Sequence, residues 1–360
     1  MKTLSLCMIV KNEEETLERC LKSVGNLFDE IIIVDTGSTD KTKEIAKNFA
    51  TKILDFKWID DFSKARNFAI ENCTSDYFMW LDADDVITKK NLKKLFDLKL
   101  SLENLAPDFV FLNYDVGFDE KNRPNFSFLR ERIIKNNGKY FFENPVHEVI
   151  TPQGKILYFE DISIQHRKIK PTKSDRNLKI YEKQNKNNFS TREIFYYSRE
   201  LMQNGKFKKA IKFFKLFLSK KDGFLENKIE ACENLAFCYE KLEEFEKSRK
   251  ILFYSFNFDL PRANILCKIG YYYKNKNDFE KAIYYFNLAS KCKMDKKNLS
   301  FVKKDYFDFI PYLEQCVCYY NLGDEQKSLK FNNLAKKVKK NNQIVLQNEK
   351  ILKNILSNKT

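Results

Sequence analysis

The stretch DYFMWLDADD, which runs from Asp76 to Asp85, decides the fold expected for this chain. Its five consecutive apolar residues, Tyr77 to Leu81, predict a strand buried on both faces, as in a parallel sheet covered by helices. The strand leads directly into Asp82, Asp84 and Asp85. Because ligands of open α/β sheets bind beyond the carboxyl ends of the strands, we expect these carboxylates to lie where a substrate binds.

The carboxylate spacing in this stretch indicates a cation. A strand has a period of two residues, so Asp82 and Asp84 are expected to point to the same side. Two converging carboxylates repel each other unless a cation lies between them, and oxygen ligands suit Mg²⁺ or Mn²⁺, which usually also bind a substrate's phosphates. We therefore predict a metal and diphosphate site. The alternative is that the acidic cluster forms a turn or caps the helix predicted at TKKNLKKLF, residues 88–96.

The length and charge of the chain indicate how many domains it can form and which kinds of partner it favours. With 360 residues it can form two domains, because single cores seldom grow past about 250 residues. Its 65 Lys and Arg against 50 Asp and Glu leave a formal charge of +15, which favours anionic partners such as nucleotide diphosphates, acidic glycans, lipid head groups or nucleic acid. The charge does not choose among these partners. Since much of it is Lys interleaved with Asn, we interpret it as solvated surface.

Cysteine usage and hydropathy bear on the compartment. The nine cysteines show no C-x-x-C spacing, so neither a zinc cluster nor a disulfide framework is supported, and reduced thiols fit a cytoplasmic protein. The apolar run Leu4–Val10 has only seven residues, and KNEEE follows it without a signal-peptide cleavage site. No stretch approaches the roughly 18 apolar residues of a transmembrane helix. We expect a soluble, cytoplasmic protein with at most peripheral contact to a membrane.

Strands and helices alternate along the first half. The run LSLCMIV, residues 4–10, predicts a strand that leads into the helix EETLERCLKSV, residues 14–24. The segment EIIIVDTGSTD, residues 30–40, predicts a second strand that ends at Asp35. This β-α-β-α order predicts an α/β fold with a Rossmann-like, mainly parallel sheet. Further strands are expected at residues 107–114, 127–135 and 139–150, and in the pair 155–159 and 162–166.

A nucleotide site in this fold would be made of side chains. Neither G-x-G-x-x-G nor G-x-x-x-x-G-K-[ST] is present, which disfavours a nicotinamide enzyme and a P-loop ATPase. Asp35 can accept a hydrogen bond from a base N–H or a ribose hydroxyl, although it can equally well open the turn that follows. Arg66 lies in the first turn of a helix that Ser63 can cap, where its donors match a phosphate. Alternatively, Arg66 pairs with Asp60 or Asp61 on the surface.

Four segments in this order resemble the family 2 glycosyltransferases, which are inverting enzymes of the GT-A fold: CMIVKNEEETLERCLKSV, EIIIVDTGSTDKT, FSKARNFAIE and WLDADD. The resemblance covers about the first 170 residues. It implies transfer of a sugar from a nucleotide sugar, with a UDP-sugar expected, and a Mn²⁺ or Mg²⁺ cofactor bound by Asp84 and Asp82. The nucleotide-sugar-binding residues that it implies are Val10, Asn12, Glu13, Asp35, Arg66 and Asp82.

The catalytic base is expected after the nucleotide half, where both histidines of the chain lie. Glu148 beside His147 resembles the V-H-E element of family members that carry helical repeats. Because an inverting reaction needs a carboxylate base, we predict Glu148, with Glu143 and His147 as alternatives. His147 could instead have a structural role next to its Pro turn. His166 is an implied metal ligand, since GT-A enzymes often complete metal coordination with a late His.

From about residue 190 the apolar spacing becomes helical and four segments repeat: KFKKAIKFF, EFEKSRKIL, DFEKAIYYF and DEQKSLKFN. Aligning them brings small residues into register, with another small residue twelve positions earlier in each unit. Small residues where two helices cross resemble the tetratricopeptide repeat. The alternative is a helical bundle without repeat geometry. The paired small residues are Ser198 with Ala210, Ala236 with Ser248, Gly270 with Ala282, and Cys316 with Ser328.

The chain is thus expected to have four parts. These are a GT-A nucleotide-sugar glycosyltransferase domain at residues 1–170, a linker helix at 171–190, tetratricopeptide-like repeats at 191–340 and a capping helix or tail at 341–360. Stacked helix pairs leave a concave groove, which we expect to bind the acceptor or a second copy of the chain in a homodimer.

The sequence does not identify the acceptor of the sugar. Family 2 enzymes with helical repeats are similar, among others, to the peptide S-glycosyltransferases of glycosylated bacteriocins, and lipid-linked or glycan acceptors are equally consistent. No nucleic acid is expected as a partner. Two other functions compete with a glycosyltransferase. One is an inactive scaffold that binds through its repeats, and the other is a nucleotidyltransferase, which would need a Gly-rich, basic loop where KNEEE stands.

Overall fold

The computed structural model describes residues 1–119, 122–169, 175–293 and 304–358. The chain separates into two compact units, Met1–Lys186 and Asn187–Thr360.

The strands of the first unit are β1 (Leu4–Val10), β2 (Glu30–Asp35), β3 (Lys52–Asp55), β4 (Tyr77–Trp80), β5 (Asp85–Val86), β6 (Phe109–Phe118), β7 (Pro124–Lys135) and β8 (Ile156–His166). They form one sheet in the order β3-β2-β1-β4-β7-β6-β8-β5. The first four strands are parallel, as predicted. β7 is antiparallel to both its neighbours, and β5 is antiparallel to β8. The α/β class is confirmed, and the sheet is mixed, with its parallel part made of the pairings among β1–β4 and the β6–β8 pair. The last expected pair of strands is the single strand β8.

The helices of the first unit are α1 (Leu17–Val24), α2 (Thr42–Ala46), α3 (Phe62–Glu71), α4 (Lys89–Leu105) and α5 (Arg176–Lys183). β4 is buried over all four of its residues, which confirms the strand expected to be buried on both faces. Its Met79 packs in one cluster with residues of α1 and α4, and its Trp80 packs in another with residues of α3. Because both faces are covered, ligands reach this sheet at the strand ends.

Asp61, and not the expected Ser63, caps α3. The Asp61 Oδ1 accepts a hydrogen bond of 3.0 Å from the N–H of Lys64. Ser63 already lies in the first turn of the helix and donates its hydroxyl to Asp61. A capping residue must have non-helical dihedral angles, which Asp61 has and a residue inside the turn does not.

Residues 139–150 form a loop with one isolated bridge, and not the expected strand. Asn144 and His147 have positive φ angles of 72° and 54°, which lie far from the extended region. Pro145 between them lacks an N–H for a ladder. These three residues explain why the segment does not form the expected strand.

The helix α5 belongs to the first unit and lies within residues 171–190, where a linker helix was expected. Its Leu178, Ile180 and Tyr181 are buried. The expected boundary at residue 170 falls on residues 170–174, which lie outside the described residues.

The helices of the second unit are α6 (Thr191–Gln203), α7 (Phe207–Leu218), α8 (Leu225–Lys241), α9 (Phe245–Tyr254), α10 (Ala263–Asn275), α11 (Phe279–Lys291), α12 (Phe309–Asn321), α13 (Glu325–Val338) and α14 (Gln343–Ser357). Each of them packs on the next one along the chain, which is the arrangement expected of stacked repeats. No helix in the described ranges combines the length and apolarity needed to cross a membrane.

The small residues aligned from the sequence are all buried in these helices. A Cβ added to Gly270 of α10 would lie 2.8 Å from the ring of Phe286 in α11, so a larger residue would require the ring or the helices to shift. In the last pair, the Ser328 hydroxyl donates to the carbonyl of Cys316 over 2.9 Å. The small residues therefore let paired helices approach closely, as the predicted register requires.

Candidate functional site

A cleft of about 720 Å³ opens in the first unit beyond the carboxyl ends of β1 and β4. Its volume is within the range of about 300–1,000 Å³ that is usual for small-molecule sites. The loop after β1, the turn after β4, the start of α3, residues 146–148 and the end of β8 line it. The cleft therefore lies at the sheet edge where a ligand was expected.

The acidic residues after β4 form a turn, and the strand does not continue into them. The N–H of Asp85 donates to the Asp82 carbonyl over 3.0 Å, and the N–H of Asp82 donates to Asp85 Oδ2 over 3.0 Å. The period of two applies only to extended backbone, so it does not describe Asp82 and Asp84 here, although both residues line the cleft. In the turn, Asp82 contacts Arg66 and Asp84 contacts His166.

Arg66 joins two carboxylates that are distant in sequence. Its Nη2 donates to Asp82 Oδ1 over 2.7 Å, and its Nε donates to Glu148 Oε1 over 2.8 Å. The guanidinium lies 4.8 Å from the centroid of the Trp80 ring. Burial by itself lowers the pKa of Arg66, but the charges of Asp82 and Glu148 outweigh burial and raise that pKa. Arg66 is therefore a fixed cation in the cleft, paired with these groups and not with the surface carboxylates considered from the sequence.

Asp84, Asp85 and His166 place donor atoms within 4.8 Å of one another, close enough to share a metal ion. His166 Nδ1 lies 3.1 Å from Asp84 Oδ1 and 3.3 Å from Asp85 Oδ1. Burial lowers the pKa of His166, but hydrogen bonds to both carboxylates and their charges raise it to about 9. The ring is therefore protonated near neutral pH. A bound metal ion would take the place of that proton, since ligation requires a neutral imidazole.

Accessibility separates these three residues. The side chains of Asp84 and His166, both expected ligands, are 19% and 18% exposed, whereas Asp85 is fully buried. Asp82, the other expected ligand, is 36% exposed and is engaged by Arg66. Carboxylate and imidazole donors fit Mn²⁺, and the oxygen donors also fit Mg²⁺. The sequence showed Asp85 as part of the acidic run but gave no signal of its separate role.

The loops after β1 and β2 are tied to each other. Asn12, with a positive φ of 55°, accepts a hydrogen bond from the N–H of Thr39 through Oδ1 over 2.8 Å. The N–H of Glu13 donates to Thr42 Oγ1 over 2.7 Å. Burial, together with the charges of the acidic turn, raises the pKa of Glu13. The Glu13 carboxylate therefore adds to the negative potential that favours a cation.

Asp35 holds the turn after β2. Its Oδ1 accepts from the N–H groups of Gly37 and Ser38, both over 2.9 Å, which is the turn role considered for it from the sequence. Its Oδ2 is buried and has no hydrogen-bond partner among the described residues. Val10, which pairs with Asp35 across the sheet, lines the cleft, whereas Asp35 is not among the described residues that do so.

Two of the three base candidates line the cleft. They are Glu148, which is 13% exposed, and His147. Glu143 is not among the described lining residues, and its backbone exchanges hydrogen bonds with Val149. The positive φ of His147 is uncommon for a residue other than glycine, and such conformations concentrate at functional sites.

Asn67 positions the loop that carries these candidates. Its side-chain amide donates to the Phe142 carbonyl over 2.9 Å and accepts from the Phe142 N–H over 2.7 Å. At the start of α3, the N–H of Phe62 donates to the Pro145 carbonyl over 2.9 Å. Successive residues of α3, Arg66 and Asn67, thus hold the acidic turn and the base loop. From the sequence, Asn67 was only the neighbour of Arg66.

Parts of the chain are similar to known proteins. Residues 5–165 match the family model described as Glycosyl transferase family 2. The chain is 38% identical over 151 residues to a TPR repeat-containing protein of Synechococcus elongatus, an alignment that covers 42% of this chain and 36% of that protein. It is 32% identical over 229 residues to the SPbeta prophage-derived glycosyltransferase SunS of Bacillus subtilis, which covers 59% of this chain and 52% of that protein. The chain therefore spans about a third to a half of these relatives.

Among solved structures, TarS 1-349 of S. aureus in complex with UDP-GlcNAc has a TM-score of 0.41 and 13% identity, covering 84% of this chain and 97% of that chain. A structure of MamA has a TM-score of 0.38 and 18% identity, covering 45% of this chain and 86% of that chain.

Proposed function

Residues 5–165 form a glycosyltransferase family 2 domain, as the sequence motifs predicted, and on that premise we propose that the protein transfers a sugar from a UDP-sugar, with inversion, to a peptide, lipid-linked or glycan acceptor. The observation that carries the proposal is that Arg66, Asp82, Asp84 and Glu148 line one cleft. Donor binding, stabilisation of the leaving group and activation of the acceptor each have a candidate side chain there.

The nucleoside is assigned to Val10 and Asp35, which end β1 and β2, and to Asn12 and Glu13 in the loop after β1. The hydrogen bonds between the loops after β1 and β2 preorganise them, which reduces the entropy lost on binding. The buried Oδ2 of Asp35 has no donor among the described residues. A base N–H would satisfy this acceptor and remove a penalty of roughly 1–3 kcal/mol.

The diphosphate is assigned to the acidic turn and Arg66. Asp84 and His166, with Asp82 beside them, would hold a Mn²⁺ or Mg²⁺ ion, which when bound supplies positive charge for the departing diphosphate. The Arg66 Nη1 is buried and has no partner among the described residues, so it can donate to a phosphate oxygen.

Glu148 is assigned as the general base. Inversion requires the acceptor to attack the sugar on the face opposite the diphosphate, and Glu148 would take the proton of the attacking group. The hydrogen bond from Arg66 Nε engages Oε1 and so fixes the orientation of the carboxylate. His147 also lines the cleft and is the alternative base.

The second unit is assigned to binding the acceptor or a second copy of the chain. Large aromatic side chains are exposed on its helices, and aromatic residues are enriched in protein interfaces. They include Phe245, Tyr254, Tyr284 and Tyr320.

The proposal is tested by screening UDP-sugars for thermal stabilisation of the protein with and without Mn²⁺, because a bound ligand stabilises by mass action. The best donor is then incubated with the protein and UDP release is followed. We expect release that requires Mn²⁺ or Mg²⁺ and stops in EDTA. Donor binding without release, also with acceptor extracts present, would favour the inactive scaffold that binds through its repeats.

A further inference from the structure

A buried pair of opposite charges lies directly beneath the acidic turn. The side chains of Asp85 and Arg132 are both 0% exposed, and Arg132 Nη1 lies 3.2 Å from Asp85 Oδ2. Taking two charges out of water is costly, and replacing such a pair by apolar side chains is often neutral or stabilising. Stability alone is therefore a weak explanation for this pair.

The two oxygens of Asp85 contact both sides of the proposed metal site. Oδ2 accepts from the N–H of Asp82 over 3.0 Å and so holds the turn. Oδ1 accepts from the Tyr114 hydroxyl over 2.8 Å and lies 3.3 Å from His166 Nδ1. One carboxylate thus positions the backbone of the turn and an imidazole from β8, which is 81 residues away in the chain.

Arg132 and Tyr114 hold the Asp85 carboxylate in place. The Arg132 guanidinium lies between two rings, 4.0 Å from the centroid of Trp80 and 4.3 Å from that of Tyr114. Its Nη1 also donates to the Trp80 carbonyl over 2.9 Å, at the end of β4. The Arg132 Nε and Nη2 have no hydrogen-bond partners among the described residues. The polar contacts of the guanidinium are therefore those of Nη1 with Asp85 and with the Trp80 carbonyl.

We infer that Asp85 is a positioning residue, which holds Asp82 and His166 in the geometry that receives the metal ion and the diphosphate. Arg132 and Tyr114 fix its carboxylate. This inference rests on the proposed function of the cleft. Partners of this kind behind metal ligands commonly change metal affinity by about 10–100-fold when they are replaced.

Asp85 is distinguished from a metal ligand by its surroundings. Its Oδ1 is close enough to the other donors to share an ion. Both its oxygens, however, already have protein partners, and its side chain is fully buried, whereas Asp84 is 19% exposed and lines the cleft. Asp84 is therefore assigned as the ligand, and Asp85 as the residue that positions His166 and the backbone of the turn.

The inference is tested by measuring Mn²⁺ binding to the full-length protein in the presence of UDP, which requires no turnover. The electron paramagnetic resonance signal of free Mn²⁺ reports how much of the ion is unbound. Asp85→Asn should weaken Mn²⁺ binding by about 10–100-fold. The matched control Asp84→Asn should abolish it. An equal loss of Mn²⁺ affinity in both variants would show that Asp85 is itself a ligand. Wild-type Mn²⁺ affinity in Asp85→Asn would show that Asp85 has no role in the site. Either result overturns the inference.

Two further variants separate positioning from folding. In Asp85→Asn the Arg132 charge is left unpaired, whereas Asp85→Asn combined with Arg132→Met removes both charges and should regain stability. If Asp85 only stabilises the fold, the double variant regains Mn²⁺ affinity as well; if it positions the site, affinity stays low. Tyr114→Phe removes the hydroxyl that lies 2.8 Å from both Asp85 Oδ1 and His166 Nδ1 and should weaken Mn²⁺ binding several-fold. Unchanged affinity in Tyr114→Phe overturns the inference even if Asp85→Asn does not fold.

The histidine NMR signals give a readout that needs no metal. The chain has two histidines, so their ring C–H resonances are readily assigned. Asp85→Asn should shift the His166 resonance and leave that of His147 in place.

If the wild-type protein itself fails to bind Mn²⁺ with UDP, the proposed function and this inference fail together. Equal binding by the wild type and Asp85→Asn contradicts the inference alone.

Discussion

The Nε of Arg66 donates a hydrogen bond of 2.8 Å to Oε1 of Glu148, although the two residues are 82 positions apart in the chain. The same guanidinium reaches Asp82 through Nη2 at 2.7 Å. The proposed base and the acidic turn therefore share one cation. A site built in this way predicts separable effects for its members, because each group has a different task.

Glu148→Gln keeps the shape of the side chain and removes its ability to accept a proton. Sugar transfer should therefore fall by roughly 10²-fold or more, the usual contribution of a general base. UDP-sugar affinity, measured by calorimetry, should change little. Glu143→Gln is the matched control, since Glu143 is not among the described residues that line the cleft. A nearly silent Glu148→Gln beside a strongly impaired His147→Ala would move the base to His147.

Asp84→Ala should abolish metal-dependent UDP release and leave the fold intact. Asp84 is one of several neighbouring carboxylates in the turn, so its removal relieves mutual repulsion while it breaks the contact with His166. The melting temperature should therefore stay close to that of the wild type. Asp97→Ala, which removes an exposed carboxylate from α4, is the control and should retain full activity. Full Mn²⁺-dependent release by Asp84→Ala would rule out this ligand.

Cys73 should be the most reactive of the nine cysteines at neutral pH. Hydrogen bonding with Cys7 lowers the pKa of Cys73 to about 7, whereas burial raises the pKa values of Cys232 and Cys238 to about 12. Because the thiolate is the nucleophile, labelling by iodoacetamide should increase as the pH rises through about 7. Mass spectrometry after brief labelling at several pH values measures this. Cys7→Ala should move the labelling curve to higher pH, and earlier labelling of the partly exposed Cys292 would contradict the prediction.

Gly270→Ala should destabilise the second unit, although alanine is the better helix former by about 1 kcal/mol. The new Cβ would lie 2.8 Å from the buried ring of Phe286, and such overpacking costs typically about 1–3 kcal/mol. The net loss should be about 1 kcal/mol in chemical denaturation. Adding Phe286→Leu to Gly270→Ala frees space and should recover part of the loss relative to Phe286→Leu alone. A Gly270→Ala variant as stable as the wild type would show that the two helices can separate there.

A fragment of residues 1–188 contains the whole of the first unit, Met1–Lys186, and should fold and bind UDP with Mn²⁺. It should lose transfer to the native acceptor, because acceptor binding or assembly is assigned to the second unit. Light scattering of the full chain distinguishes these two roles, since a monomer at micromolar concentration excludes the dimer. Normal transfer to the native acceptor by the fragment would reject both.

Local sequence patterns were sufficient to predict an element wherever the residues of that element themselves determine its conformation. The apolar run of β4 and the small residues Gly270 and Ala282 each lie where the pattern placed them, because burial and close helix contact select residue types position by position. The loop at residues 139–150 shows the limit. Its many aromatic and β-branched residues favour a strand, but Asn144 and His147 adopt backbone angles that the pattern does not reveal.

The sequence by itself determined that an α/β unit precedes a helical one, and that acidic residues and Arg66 stand at the carboxyl edge of the sheet, because periodicity and strand ends are local properties. Only the tertiary structure decided which charges meet. Arg66 pairs with Asp82 and Glu148, and not with Asp60 or Asp61, which are nearer to it in the sequence. Asp85 turns inward to the buried Arg132. Charge pairing depends on distance and burial between segments far apart in the chain, and no local pattern encodes either quantity.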